Sequence, residues 1–108
     1  MSAGDGEALF LYLTTRGRHS GVPREIEIWF TEYDGRYYII AEHGERAHWV
    51  QNIMAHPIVS FRVGTRSFEG RARIVDPGSD PHLNRAVQQL SEAKYGWGDG
   101  MVVELTPT

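Results

Sequence analysis

The segment Thr14–Arg24 contains the residue types that bind anions. Its sequence, TTRGRHSGVPR, combines three arginines, one histidine, two glycines and three hydroxyl side chains. Glycine lets a backbone turn with positive φ and come close to a ligand, and successive N–H groups in such a turn form a concavity that binds anions. The forked guanidinium of arginine matches a phosphate or a carboxylate. We therefore predict an anion-binding loop, with a solvated basic hairpin turn as the alternative.

Two strands must flank this loop and position it. Ala8–Thr15 is mostly apolar and ends in β-branched threonines, which is typical of a strand. Pro23–Tyr33 alternates apolar residues with others, which predicts one long strand with a core face and a mixed face. Asp34-Gly35 is a strong hairpin signal, and Arg36–Glu42 is predicted to return as the partner strand.

The second half of the chain adds two helices and three strands. A stripe of apolar residues at helical spacing spans Arg46–Ala55, and a proline at position 57 prevents that helix from continuing. Asp80-Pro81 opens a second helix, with aspartate as the N-cap and proline in the first turn. The remaining predicted strands are Ile58–Val63, Arg66–Val75 and Met101–Leu105.

The predicted element order is therefore β-β-β-α-β-β-α-β. It describes a mainly β fold with two short helices, in which six antiparallel strands close into a small barrel. A chain of 108 residues is the size of one domain, and we assign residues 8–108 to it. Residues 1–7 are rich in small and acidic residues and are predicted to be a flexible N-terminal tail.

Composition argues against several classes of function. The net charge of −3 disfavours binding to nucleic acid or to an anionic membrane. The chain has no cysteine, which excludes thiolate nucleophiles and cysteine-ligated metals, and its histidines lack a metal-binding spacing, so no metal site is predicted. No apolar run approaches the ~20 residues of a membrane span, and residues 1–7 do not read as a signal peptide. We expect a cytoplasmic protein.

Thr14–Arg24 resembles the TT-G-R-K-S/T-G-x-P-R signature of the deazaflavin-dependent nitroreductase family, with His19 where lysine is usual. Further along, Trp49-Val50-Gln51-Asn52-Ile53 resembles the W-x-x-N-L helix of that family, and Ala55-His56-Pro57 stands where the family has A-N-P. The resemblance covers roughly residues 9 to 106. It implies a split β-barrel of the FMN-binding, pyridoxamine-phosphate-oxidase-like type.

The resemblance also implies an activity. Such proteins are homodimers that bind F420, an 8-hydroxy-5-deazaflavin with an anionic tail, near the subunit interface. The reduced cofactor transfers a hydride to a small electron-poor acceptor, such as a quinone, a nitro compound or an enone. Two alternatives stay open at this point: an FMN-binding protein or FMN-dependent oxidoreductase of the same fold, and a non-catalytic binder of a flavin or another aromatic ligand.

The site residues follow from the matched positions. In the basic loop, Arg18 and Arg24 are expected to bind the phosphate or tail together with His19 and Ser20. Tyr95 is a candidate proton donor, and an aromatic anchor before the last strand is its alternative. Trp49 fits either the core or the site, and Asn52 is expected to anchor the loop before its helix or to contact the cofactor. The full set of candidate cofactor-binding residues is Arg18, His19, Ser20, Gly21, Pro23, Arg24, Trp29, His43, Gly44, Trp49 and Asn52.

Overall fold

The computed structural model describes residues 8–108, and the predicted tail at residues 1–7 lies outside them. Seven strands and two helices follow one another in this part of the chain. The helices are α1 (His48–Ala55) and α2 (Pro81–Tyr95). The strands are β1 (Leu11–Arg16), β2 (Pro23–Ile28), β3 (Thr31–Tyr33), β4 (Arg36–Ala41), β5 (Ile58–Val63), β6 (Arg66–Ile74) and β7 (Met101–Pro107).

The seven strands form one antiparallel sheet in the order β2-β1-β5-β6-β7-β4-β3. β2 and β3 lie at opposite edges of this sheet, although they are neighbours in sequence. Only Trp29 and Phe30 join them, and a connection of that length spans at most about 10 Å. The two edges must therefore come close together, which curls the sheet into a partly closed barrel. The mainly β fold, the two helices and the antiparallel pairing agree with the prediction.

The prediction of one long strand over Pro23–Tyr33 is wrong, and the structure has seven strands rather than six. Strict alternation would place Phe30 and Thr31 on opposite faces of a strand. Both are buried, at 1% and 5% exposure, whereas Trp29 is 42% exposed. The alternation fails because the chain leaves one sheet edge after Ile28 and joins the other edge at Thr31.

The main core lies inside the curled sheet. Leu11 and Leu13 of β1 and Phe61 of β5 point into it, and Ile53 of α1 closes it from one end. A smaller cluster forms where α2 covers the sheet, with Val87 of that helix packed among Tyr38, Val75 and Val102. The helices thus cover parts of the sheet that neighbouring strands leave open.

The local backbone conformation determines where the two helices begin. α1 starts two residues later than predicted, because Gly44–Arg46 forms a 3-10 turn and Ala47 is extended. α2 begins as predicted after Asp80, with Pro81 in its first turn, and it ends at Tyr95, directly before Gly96, whose φ is 78°. Neither helix in the described part of the chain has the length and apolarity needed to cross a membrane.

Candidate functional site

A basic pocket of about 550 Å³ lies between the β1–β2 turn and α1. It brings together five of the residues predicted from the Thr14–Arg24 loop and the Trp49–Ile53 helix. Two further residues, Gly17 and His48, also line it. No acidic side chain is among the lining residues within the described chain, so the charge of the pocket is positive. The lining residues are Gly17, Arg18, His19, Ser20, Arg24, His48 and Asn52.

The turn keeps its shape through its own hydrogen bonds. The N–H of Gly17 donates to the carbonyl of Val22 at 2.9 Å, and the N–H of Gly21 donates to the carbonyl of Gly17 at 2.8 Å. Ser20 Oγ accepts from the N–H of Val22 at 3.1 Å. Gly21 has a φ of 70°, which favours glycine at this position. Gly21 and Pro23, both predicted to bind the cofactor, are not among the residues that line the basic pocket.

Asn52 joins α1 to this turn. It is 4% exposed, and its Oδ1 accepts from the backbone N–H of Arg18 at 3.1 Å and from Arg18 Nη1 at 3.2 Å. Its Nδ2 donates to Thr15 Oγ1 at 3.2 Å. Asn52 therefore anchors the β1–β2 turn. The prediction that it anchors the loop before its own helix is not what these hydrogen bonds show. Arg18 Nη2 also lies 3.4 Å from His48 Nδ1.

Arg24 and His19 supply further donors to the pocket. Arg24 pairs with Thr15 across β1 and β2, on the face of β2 that also carries the half-buried Ile26. Arg24 and His19 both line the basic pocket. Within residues 8–108, neither of these two side chains makes a hydrogen bond or an ion pair, so both keep their side-chain donors for a ligand.

An apolar pocket of about 610 Å³ opens next to the basic one. All three tryptophans of the chain line it, namely Trp29, Trp49 and Trp97. Pockets that bind small molecules are mainly apolar and aromatic, with a few polar groups that set orientation. The complete lining is Phe10, Glu27, Ile28, Trp29, Ile40, Ala41, Glu42, His43, Ala47, Trp49 and Trp97.

Both pockets are lined by residues at the beginning of α1. Ala47 and Trp49 line the apolar pocket, whereas His48, which lies between them in sequence, lines the basic pocket. Trp49 also packs against the main core, as the core interpretation of this residue predicts. The chain thus has an apolar pocket and a cationic pocket near the start of α1, and a ligand with an aromatic ring and an anionic tail has a group that suits each.

Of the two candidate residues His43 and Gly44, only His43 lines a pocket. His43 lines the apolar pocket, and its Nε2 lies 3.9 Å from Glu42 Oε2. Gly44 follows in the 3-10 turn with a φ of 56°, and it lines neither pocket. Among residues 8–108, no three histidine, aspartate or glutamate side chains lie together in a way that could hold a metal ion.

Tyr95, the predicted proton donor, lies behind the apolar pocket and is not among its lining residues. Its ring stacks on Trp29, with ring centroids 4.5 Å apart and an interplanar angle of 7°. Its hydroxyl is within 3.1 Å of the backbone nitrogen of Phe30. Burial raises the pKa of Tyr95 above the ordinary value for a tyrosine.

Sequence reasoning missed several lining residues. Gly17 stands next to Arg18 in the basic loop, and a Cβ at this position would lie 2.7 Å from Ser20 Oγ, so close packing within the turn explains the glycine. His48 precedes the Trp49–Ile53 motif without any signal of its own. Phe10 and Ile40 look like ordinary strand residues in the sequence and reach the pocket only through the curl of the sheet.

Known structures with the same fold are numerous. HutZ, a heme storage protein from Vibrio cholerae, has a TM-score of 0.78 at 19% identity, covering 96% of this chain and 84% of its own. A protein from Listeria innocua named for pyridoxamine 5′-phosphate oxidase has a TM-score of 0.73 at 13% identity, covering 95% and 86%. An F420-H2 dependent reductase, FDR-A, has a TM-score of 0.65 at 23% identity, covering 90% and 92%. These similarities confirm the split-barrel fold.

Sequence comparison identifies the family. A search of curated proteins finds no significant match to this chain. The family model described as F420H(2)-dependent quinone reductase matches residues 5–100, which include the β1–β2 turn and α1. The chain belongs to the F420H2-dependent quinone reductase family.

Proposed function

We propose that this protein binds reduced F420 and reduces a small electron-poor acceptor, such as a quinone, a nitro compound or an enone. The observation that carries the proposal is the start of α1, where Ala47 and Trp49 line the apolar pocket and His48 lines the basic pocket. A deazaflavin with its tail matches both chambers at once. Family membership supports the same assignment.

The basic pocket would hold the phosphate and the acidic tail. Arg18 is held in place by Asn52, so its guanidinium donates with little loss of side-chain freedom on binding. Arg24 adds a second guanidinium, and His19 and Ser20 add shorter donors. Charge-assisted hydrogen bonds of this kind are about twice as strong as neutral ones.

The apolar pocket would hold the ring and the acceptor. The indoles of Trp29 and Trp49 offer flat surfaces that exclude water around a conjugated ring. When bound, the reduced deazaflavin supplies a hydride, and reduction of a quinone to a hydroquinone takes up one proton besides. His43 lies at the exposed rim of the pocket, and its imidazole can pass that proton inward from water.

FMN is the alternative cofactor, because its phosphate and flat ring match the same two pockets. A non-catalytic binder of an aromatic anion is the second alternative, since the pockets by themselves show binding groups and no reaction. Neither alternative needs a different set of binding residues.

We also propose that the protein works as a homodimer. Val22, Met54 and Ile58 are large apolar side chains, and each is more than half exposed in the single chain. Burying such residues against a second copy would remove apolar surface from water. Analytical ultracentrifugation tests this point, because a monomeric mass at micromolar concentration would contradict it.

The test of the proposed function is a parallel titration with F420 and FMN at two salt concentrations. Because the three tryptophans line the apolar pocket, quenching of their fluorescence reports on ring binding there. We expect F420 to bind at micromolar concentration or tighter and to bind more weakly in high salt. Oxidation of reduced F420 by a naphthoquinone should then follow.

The other outcomes separate the alternatives. Preferential binding of FMN would assign the protein to the flavin branch. F420 binding without oxidation by quinone, nitro or enone acceptors would favour a non-catalytic binder. Binding of neither compound would contradict the proposed function.

A further inference from the structure

Residues in the last turn of α2 bind the backbone of Phe30, in the break between β2 and β3. The hydroxyl of Tyr95 lies 3.1 Å from the backbone nitrogen of Phe30 and 2.9 Å from its carbonyl oxygen. It also lies 2.8 Å from the carbonyl oxygen of Leu9. A phenol can accept one N–H and donate to one carbonyl at a time. This single hydroxyl therefore satisfies the backbone at the point where the ladder stops.

Lys94 contacts the same residue. Its Nζ donates to the carbonyl oxygen of Phe30 at 3.0 Å and lies 3.8 Å from the centroid of the Phe30 ring. Burial lowers the pKa of Lys94, and the charge of Glu32 partly opposes that effect. Two successive residues of α2 thus fix both backbone groups and the ring of Phe30.

Trp29 precedes the residue that is fixed in this way. Its ring stacks almost parallel on the ring of Tyr95. Trp29 also lines the apolar pocket. A side chain that is 42% exposed at a strand break has few neighbours to select its rotamer. The stack on Tyr95 and the fixed backbone of Phe30 supply that selection.

We propose that Lys94 and Tyr95 form a latch that positions Trp29, and that Trp29 in turn sets the shape of the apolar pocket for the acceptor. Tyr95 is then a positioning residue, and this role replaces the proton-donor role predicted from the sequence. The part of this inference that concerns the acceptor rests on the proposed function. The part that concerns Phe30 and Trp29 applies to the protein without a ligand.

The ligand-free test is amide hydrogen exchange measured by NMR on Tyr95→Phe, which removes the hydroxyl and keeps the stacked ring. We expect the Phe30 amide to exchange roughly tenfold faster, because its hydrogen-bond acceptor is gone, and the indole N–H signal of Trp29 to shift. Tyr33→Phe is the matched control, since Tyr33 is exposed on β3. Unchanged exchange of Phe30 and an unmoved Trp29 signal in Tyr95→Phe would overturn the latch.

A second variant keeps the test decisive if Tyr95→Phe does not fold. Lys94→Met removes the donor to the Phe30 carbonyl and retains an apolar side chain of similar length. We expect the Trp29 indole signal of this variant to shift from its position in the wild type. If the Trp29 signal does not respond to the loss of Lys94, the inference is wrong.

The functional test uses steady-state kinetics with reduced F420 and a quinone. Tyr95→Phe should raise the KM for the quinone several-fold and change kcat less. A large fall in kcat with unchanged KM and unchanged Phe30 exchange would instead show that Tyr95 is a proton donor. If the wild-type protein binds neither F420 nor FMN, the proposed function fails, and the exchange of the Phe30 amide still decides whether the latch exists.

Discussion

The side-chain carbonyl of Asn52 accepts two hydrogen bonds from Arg18, one from its backbone N–H at 3.1 Å and one from its guanidinium at 3.2 Å. This pair connects α1 to the β1–β2 turn through two residues that are 34 positions apart in sequence. The same amide donates to Thr15 on β1. One buried side chain therefore determines where the basic turn lies relative to the helix.

Replacing this amide should disturb both stability and binding. Asn52→Ala leaves Arg18 and Thr15 without a buried partner, and we expect the free energy of unfolding to fall by about 2–3 kcal/mol. F420 affinity should fall as well, since Arg18 loses its fixed position. Urea unfolding and F420 titration measure the two effects. Gln51→Ala on the same helix is the control, and equal losses in both variants would show that Asn52 has no special role.

Arg24 should matter for binding and little for folding, because it is exposed on β2 and lines the basic pocket. Arg24→Ala should weaken F420 binding about ten- to a hundredfold, the range expected for a lost charge-assisted hydrogen bond. Its melting temperature should stay close to that of the wild type. Arg85→Ala, on the exposed side of α2, provides the matched loss of charge. A lower melting temperature with unchanged F420 affinity would show that Arg24 is structural.

The basic pocket contains His19, which stands next to Arg18 in the β1–β2 turn. His19→Lys should bind F420 more tightly than the wild type, because a lysine ammonium adds a full positive charge beside the arginines. Fluorescence titrations with F420 measure the change, and an unchanged affinity in the variant would exclude a contact between position 19 and the anionic tail.

A buried carboxylate, Glu104, connects three strands and the start of α2. It is 7% exposed, accepts from Tyr38 at 2.8 Å and from Arg73 Nε at 3.1 Å, and Arg73 in turn contacts Asp80 at 3.4 Å. Burial raises the pKa of Glu104, but the hydrogen bonds from Arg73 and Tyr38 and the charge of Arg73 lower it more. The net pKa is therefore below the ordinary value for a glutamate.

A carboxylate with a lowered pKa stabilises the fold above its unfolded pKa, and this contribution disappears as pH falls through the folded pKa. Glu104→Gln should therefore lower the free energy of unfolding by about 1–2 kcal/mol at pH 7, a modest value because Arg73 is half exposed. The difference from wild type should shrink as pH falls below the ordinary pKa of a glutamate and through the lower pKa of folded Glu104. Urea unfolding at several pH values measures it, with Glu69→Gln on the exposed face of β6 as control. A difference that does not change with pH would contradict the assignment.

Most of the secondary structure could be predicted from sequence because local patterns determine it. Pro57 ends α1, Asp80-Pro81 begins α2 and Asp34-Gly35 turns one strand into the next, each through a backbone preference that needs no distant partner. The break at Trp29-Phe30 could not be predicted in this way. In the sequence, apolar residues alternate with others there as they would in a continuous strand. The strand breaks only because two sheet edges that are distant in the strand order lie next to each other in space.

By itself, the sequence determined the residue types of the basic turn, the apolar periodicity of the elements and the motifs by which the family was identified, since all of these depend on neighbouring residues. Only the tertiary structure decided how these residues meet. The curl of the sheet places Phe10, Ile40 and the three tryptophans around one chamber, and Asn52 sets the basic turn beside α1. The tertiary structure also stacks Tyr95 on Trp29, because the Tyr95 hydroxyl bonds backbone groups of Phe30 where the strand ladder is broken.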